Sequence, residues 1–403
     1  MTHTPALASA LLCFTLATAA DAATTLHVEA NGLDGPSCGT VAVACRSISY
    51  AINRAAPGDT VLVGPGRYGD LNHDGDRSDP GEEVSGSESS LINIDKPLRV
   101  VSSHGAALTI IDAIRANFIF RELKTYAVRL YGTGITFGAP DAGFTILGAE
   151  VFEEEDHIRT GVYAQATGDI RVEGNVVIGL DTGFYAFGDT GSVVLNGNYA
   201  SGNSVGYIAE TQPVVGKIAL THNVANGIGS SPLGGNGFAF GTAYVGPNPP
   251  VQRTAITATG NVASGNGLGF VFASRGPLVF QNNTAAGNFG PGAQTRQYPA
   301  NDPRLARTYT VSGFSAIGNL QAGIDLGINS RVNVSISNFI GNDTAHGCGI
   351  HNLGGPVNAA NNYWGAKTGP GPGRADAAGG NCDEAPGVTT ATPFKTSRLN
   401  IAK

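Results

Sequence analysis

Gly197-Asn198-Tyr199-Ala200-Ser201-Gly202-Asn203 comes back nearly unchanged as Gly260-Asn261-Val262-Ala263-Ser264-Gly265-Asn266. Weaker copies surround these two. They are Gly174-Asn175-Val176-Val177, His222-Asn223-Val224-Ala225-Asn226-Gly227, Asn282-Asn283-Thr284-Ala285-Ala286-Gly287-Asn288, Gly313-Phe314-Ser315-Ala316-Ile317-Gly318-Asn319, Ser337-Asn338-Phe339-Ile340-Gly341-Asn342 and Asn361-Asn362-Tyr363-Trp364-Gly365. The second residues of the copies fall at 175, 198, 223, 261, 283, 314, 338 and 362, with spacings of 23, 25, 38, 22, 31, 24 and 24. Five of the seven spacings lie between 22 and 25, and the other two read as one repeat plus an inserted loop. So regular a period marks a solenoid, in which each unit buries its apolar side only against its neighbours.

A unit of this length has room for about three short strands and their turns. Alternating segments of strand size recur, as in Ser192-Val193-Val194-Leu195, Lys217-Ile218-Ala219-Leu220 and Val332-Asn333-Val334-Ser335-Ile336. The composition agrees: 58 glycines, one Met and 14% charged residues suit many short strands joined by tight turns rather than long surface helices. A left-handed β-helix would show a hexad-based period of about 18 residues. Calcium-binding nonapeptide arrays would show Gly-Gly-x-Gly-x-Asp, and a propeller would repeat Trp-Asp; none of these patterns is present. The fold expected is all-β, a right-handed parallel β-helix with a short N-terminal capping helix. Asn175, Asn198, Asn223, Asn261, Asn283, Asn338 and Asn362 are expected to stack in the turns as amide ladders that satisfy buried backbone groups.

An open stack of strands must cover its ends. Within Arg46-Ser47-Ile48-Ser49-Tyr50-Ala51-Ile52-Asn53-Arg54-Ala55-Ala56, residues Ile48, Ile52 and Ala55 share one helical face, and Pro57-Gly58-Asp59 then turns into the strand Thr60-Val61-Leu62-Val63. The expected layout is a signal peptide at 1–22 and one domain at 23–403. That domain holds an N-terminal cap at about 38–60, a calcium-type loop at 70–83, coils at about 90–365 and a capping tail at 366–403. The signal reading rests on the apolar run Ala6 to Ala17 followed by the small-residue sites Ala17-Thr18-Ala19 and Ala20-Asp21-Ala22. It implies export to the periplasm or the outside. Beyond it no apolar run is long enough for a membrane-spanning helix.

Four cysteines remain after the signal, Cys38, Cys45, Cys348 and Cys382, an even number that suits disulfides in an exported chain. Three connectivities are open, and the local pairs Cys38 with Cys45 and Cys348 with Cys382 would each staple one end of the solenoid. Zinc is the rival reading, but neither a CxxC pair nor clustered histidines accompany these thiols. The formal net charge of −7 and the lack of any Lys/Arg run argue against nucleic acid as a partner. A monomer is expected.

The opening, Ser47-Ile48-Ser49-Tyr50-Ala51-Ile52 followed by Pro57-Gly58-Asp59-Thr60-Val61-Leu62-Val63-Gly64-Pro65-Gly66-Arg67-Tyr68, resembles that of secreted pectate-lyase-like β-helix proteins. The end, Asn361-Asn362-Tyr363-Trp364-Gly365 through Gly369-Pro370, resembles the closing segment of bacterial parallel β-helix repeat proteins. The resemblance covers nearly the whole mature chain and its motifs are architectural, so it implies the scaffold and leaves the activity open. It transfers no active site: adjacent Asp-Asp, Gly-His-Gly and Arg-x-Pro-x-x-Arg are all missing.

Three segments could carry chemistry. Asp70, Asn72, Asp74, Asp76, Asp79 and Glu82 follow an Asp-x-Asn-x-Asp-Gly pattern whose alternate oxygens suit calcium, in a structural rather than a catalytic role. The pattern departs from an EF-hand because position twelve is Gly81, with Glu82 and Glu83 displaced and no flanking helices. A second cluster holds Glu150, Glu153, Glu154, Glu155, Asp156, His157 and Arg159, of which Glu153, Asp156 and His157 are candidate proton-transfer groups. A third holds Arg296, Tyr298, Asp302, Arg304 and Arg307 within the longer 283-to-314 spacing, with Arg296, Tyr298 and Arg304 as the candidates. Both of these clusters read more readily as polar loops. From Gly191 to Thr295 only Glu210, Lys217, Arg253 and Arg275 are charged, which places the expected groove over the insertions rather than on the coils.

The functional expectation is a secreted protein that acts on or binds an extracellular polysaccharide, as a lyase, epimerase or hydrolase. The alternative is a non-catalytic surface adhesin or structural matrix protein.

Overall fold

The computed structural model describes residues 22–72, 79, 81–83, 89–114, 125–148, 159–210, 214–229, 235–241, 252–274, 276–296, 307–328, 330–343, 347–371, 376–378 and 388–401. Its strands form three parallel sheets of 13, 10 and 11 strands, here the first, second and third sheets. The chain visits them in turn. One coil runs through Ser192–Asn196, Tyr199–Ser201 and Val205–Glu210, and the next lays Lys217–Thr221, Val224–Asn226 and Asn236–Phe240 against it in parallel register. This is the right-handed parallel β-helix expected from the period. Strand pairing begins ahead of the capping helix, where Thr25–Val28 pairs with Thr60–Val63.

Residues one coil apart stack at the strand spacing of about 4.8 Å, so each inward position becomes a column of like side chains. In the second sheet the inward column is Ala200, Ala225, Ala263, Ala285 and Ala316, all fully buried. In the third sheet it is Phe184, Tyr207, Phe238 and Phe270, whose rings stack with centroids 5.0, 4.6 and 5.0 Å apart. Small residues on one wall and rings on the other fill a narrow interior. The Tyr207 hydroxyl is satisfied inside, 2.7 Å from the Asn198 carbonyl oxygen and 3.1 Å from that of Val224. Burial holds that phenol far above its ordinary pKa.

From Glu173 onward the turns from the first sheet to the second are two residues long, too short to satisfy their own backbone groups. Between the first and second sheets, Asn175, Asn198, Asn223 and Asn261 each donate a backbone N–H to the side-chain oxygen of the asparagine one coil on, over 2.9–3.0 Å, and the column reaches Asn283. Their amide nitrogens donate to carbonyls of the preceding coil, as Asn261 does to Leu220 at 2.9 Å. The column differs from the expectation at one rung. Asn338 lies one residue along, paired with Ser315 in the second sheet, and the turn position belongs to Ser337. The Ser337 hydroxyl accepts from the Phe314 N–H, and its own N–H reaches Asn362.

A second column, not expected, lines the turn into the third sheet. Asn203, Asn266, Asn288, Asn319 and Asn342 are its asparagines, and Asp376 is its last rung. Beside it run Gly161, Gly183, Gly206, Gly237, Gly269, Gly292, Gly323 and Gly349. A methyl group on Gly237 would sit 2.7 Å from the Gly269 carbonyl oxygen, so this column is glycine because the coils approach too closely there for a Cβ.

At the front, the capping helix Ile48–Arg54 buries Ile48, Ala51 and Ile52. Its N-terminal N–H groups are met by Glu83, which accepts from Ile48 at 2.8 Å and from Ser49 at 2.7 Å while fully buried. A disulfide joins Cys38 to Cys45. Cys348 is also disulfide-bonded, and Cys382 lies outside the described residues. At the back, the buried Trp364 stacks on Phe339 at 4.8 Å. Among the described residues no helix is long and apolar enough to cross a membrane, which says nothing of a β-barrel.

Candidate functional site

Alternation along each strand of the third sheet turns every second side chain outward. One outward row runs Arg129, Tyr163, Tyr185, Ile208, Ala239, Val271, Gln294, Asp325 and His351 in continuous register. Its two ends carry chemistry and its middle is apolar.

At the N-terminal end, Tyr126, Tyr163, Tyr185 and Phe187 line a cleft of about 300 Å³ with Arg159, Thr160, Asp181, Thr182 and Glu210. The aromatic groups form a tilted platform, with Tyr126 and Tyr163 4.5 Å apart at 30° and Tyr163 and Tyr185 5.3 Å apart at 42°. The Tyr163 hydroxyl donates to Gln165 Oε1 at 3.1 Å, and Gln165 Nε2 donates to Asp189 at 3.0 Å. Burial, and after it the neighbouring Tyr126 and the Glu210 carboxylate, push the Tyr163 phenol well above its ordinary pKa. It is therefore a protonated group at neutral pH, suited to donating a hydrogen bond and unsuited to acting as a base. Arg129 lies over the Tyr131 ring, 5.3 Å from its centroid, and donates to Asn93.

The two carboxylates of the cleft stand apart. Glu210 pairs with Phe187 while Asp181 precedes Thr182, an offset of six positions, or roughly 20 Å along the strand. Glycoside hydrolysis by a carboxyl pair needs about 5–9.5 Å, so these two are not such a pair.

At the other end, Arg296 Nε donates to Gln294 Oε1 at 2.9 Å, Gln294 Nε2 donates to Asp325 Oδ2 at 2.8 Å, and Asp325 Oδ1 meets His351 Nδ1 at 2.8 Å. The chain of contacts crosses three adjacent strands and fixes each side chain on the sheet surface. Two larger concavities exist, but neither combines an aromatic platform with converging charges. One of about 600 Å³ lies between the second sheet and the C-terminal tail, where the Asn338 amide donates to the Leu399 carbonyl at 3.0 Å and accepts from the Leu399 N–H at 2.9 Å. The other, of about 670 Å³, lies by His104 and His222.

Of the residues singled out from sequence, Arg296 is placed at the end of Ala293–Thr295 and Arg159 at the cleft. They sit five strand spacings apart, about 24 Å, and do not share a site. Glu153, Asp156, His157, Tyr298 and Arg304 lie outside the described residues. In the calcium-type loop, Asp70 and Glu82 are buried, and Asn72 Nδ2 donates to Asp79 at 2.7 Å. Glu82 Oε1 accepts from the Leu71 N–H at 3.0 Å, while Glu83 is committed to the helix N-terminus. Asp74 and Asp76 lie outside the described residues. The tyrosines of the cleft escaped the sequence reading although a signal exists, since Val162-Tyr163-Ala164 and Phe184-Tyr185-Ala186 are one period apart.

No protein-family model matches the sequence, and no curated protein matches it. Among solved structures, the chain is similar to the A-module of the Azotobacter vinelandii mannuronan C-5 epimerase AlgE4, at 13% identity over 87% of this chain and 92% of that one, with a TM-score of 0.52. It is similar to the A-module of the epimerase AlgE6 from the same organism, at 15% identity over 88% and 95%, with a TM-score of 0.52. It is also similar to the GH136 lacto-N-biosidase from Eubacterium ramulus, at 12% identity over 93% of this chain and 68% of that one, with a TM-score of 0.54. These likenesses place the chain among parallel β-helix proteins by fold.

Proposed function

We propose that this protein is a secreted carbohydrate-active β-helix that holds an extracellular polysaccharide along the outer face of its third sheet. The observation that carries the reading is the platform of Tyr126, Tyr163 and Tyr185 with Arg159, Asp181 and Glu210 at its rim. Sugar rings offer apolar C–H faces to aromatic side chains and hydroxyl edges to polar ones, and a cleft of this composition meets both. A row that repeats once per coil suits a linear polymer. Export is supported by the Cys38–Cys45 disulfide. Lyase or epimerase chemistry draws support from the fold of the epimerase A-modules, which is analogy. Hydrolysis by Asp181 with Glu210 is disfavoured by their separation.

The test is retention on gels carrying entrapped polysaccharides, with ultraviolet absorbance and reducing ends followed in the same mixtures. The Tyr163→Ala/Tyr185→Ala variant is expected to bind at least about tenfold more weakly with its strand signal in circular dichroism intact, since each lost ring contact contributes ~0.5–1.5 kcal/mol beyond its area. Retention equal to that of the unaltered chain would remove the cleft from the proposal.

Calcium at 70–83 belongs to the same proposal as a structural ion. Asp70 and Glu82 are carboxylates buried in a loop rich in oxygen donors, and a buried carboxylate needs compensation by a cation or by donors. Titrating the chelator-treated protein with Ca²⁺ is expected to release heat and raise the melting temperature. No heat together with an unmoved melting temperature would reject the ion.

A further inference from the structure

We infer that the polymer taken by the third-sheet cleft is uncharged, a neutral glycan rather than a polyuronate; the inference rests on the reading of that cleft as a polysaccharide site, and it sets aside lyase and epimerase chemistry there, since both remove a proton beside a uronate carboxylate. A polyuronate brings a carboxylate with every sugar, and a site built for it must repeat cationic partners along its length. Among the described residues that line the cleft, Arg159 is the only base, set against Asp181 and Glu210. Asp189 adds a third carboxylate beside it, held through Gln165 from the Tyr163 hydroxyl.

The rest of the row offers a polyanion no better purchase. Arg129 is laid over Tyr131 and bonded to Asn93. The next three rungs are apolar, Ile208 and Ala239 half-buried and Val271 buried. Beyond them Gln294 and Asp325 present an amide and a carboxylate, and Arg296 is turned onto Gln294. The chain as a whole carries a net charge of −7, so long-range attraction opposes an anionic polymer as well. What the cleft does provide is ring faces and a Tyr163 phenol kept protonated, the equipment for stacking on sugars and bonding to their hydroxyls.

The experiment uses the full chain in affinity electrophoresis against neutral polymers (laminarin, xylan, galactomannan) and anionic ones (alginate, polygalacturonate, hyaluronan). Each is run at low salt and at about 0.5 M NaCl, where exposed charges are screened within a few ångströms. Retention is expected on at least one neutral polymer, changed less than about twofold by salt, and absent on the anionic set. The Asp181→Asn/Glu210→Gln variant is expected to gain salt-sensitive retention on polygalacturonate, because repulsion has been removed while the platform stays. Salt-sensitive retention of the unaltered chain on alginate or polygalacturonate, lost in Tyr163→Ala/Tyr185→Ala, would overturn the neutral class and leave the cleft as the site. Retention on none of the six polymers would overturn the site reading and this inference together.

Discussion

Replacing Asn261 by alanine is expected to destabilise the solenoid by about 3–5 kcal/mol, the combined cost of several buried groups left unpaired. Asn261 is fully buried at the centre of the first asparagine column. Its Oδ1 accepts from the Asn223 N–H at 3.0 Å and the Asn223 amide at 3.1 Å. Its Nδ2 donates to the Leu220 carbonyl at 2.9 Å and to Asn283 Oδ1 at 3.0 Å. Alanine removes all four contacts and opens space walled by neighbouring coils. Serine is expected to recover part of the loss, because Ser337 already holds the equivalent rung at Phe314. The measurement is denaturant unfolding followed by circular dichroism, with hydrogen exchange to localise the defect. A solenoid couples each coil only to its neighbours, so protection is expected to fall first in the coils around 220 and 283. Loss below about 1 kcal/mol would mean that water replaces the amide.

Gly237→Ala is expected to cost about 2–4 kcal/mol by overpacking. The added methyl would lie 2.7 Å from the Gly269 carbonyl oxygen, 2.8 Å from Asn266 Nδ2 and 3.2 Å from Ala263 Cβ. None of these is the loose end of a side chain, and the coil spacing that sets the distance is fixed by the parallel ladders on all three walls. Gly197→Ala supplies the contrast. That glycine has a φ of +62° with nothing within 4 Å of an added Cβ, so the cost there is the left-handed backbone alone, about 1–2 kcal/mol. Thermal melts of the two variants side by side check the ordering, and equal losses would show that close approach is not what keeps Gly237 a glycine.

The period of the fold could be read from the sequence because the turn asparagines are buried and carry hydrogen bonds that no other side chain supplies as well. The slip at Asn338 has a physical origin. Ser337 and Asn338 can both bond to a neighbouring backbone, and only the strand register shows which of them faces the turn. The glycine column was invisible for another reason, since eight stacked glycines are lost among 58. The cleft was hidden by parity. In Phe184-Tyr185 both side chains are aromatic, so composition cannot say which one enters the core and which one faces solvent. Arg159 stood out as the charged residue next to an acidic run and does line the cleft. The uncharged stretch from Gly191 to Thr295 suggested bare scaffold, yet Glu210 reaches the cleft from its third-sheet strand, so the coils themselves carry the candidate site.

Both asparagine columns run one way. Wherever the next rung carries a polar side chain, the backbone N–H donates to it, one coil toward the C-terminus. Donors therefore accumulate at the C-terminal end, which becomes electropositive as the N-terminus of an α-helix does. The second column meets this with Asp376, whose buried carboxylate accepts from the Gly341 and Asn342 N–H groups and from the Asn342 amide. Glu83 does the same for the capping helix at the opposite end of the molecule. The solenoid thus has a polarity of its own, and at each end a buried carboxyl group, its pKa raised by burial, accepts from a row of donors that would otherwise point at nothing.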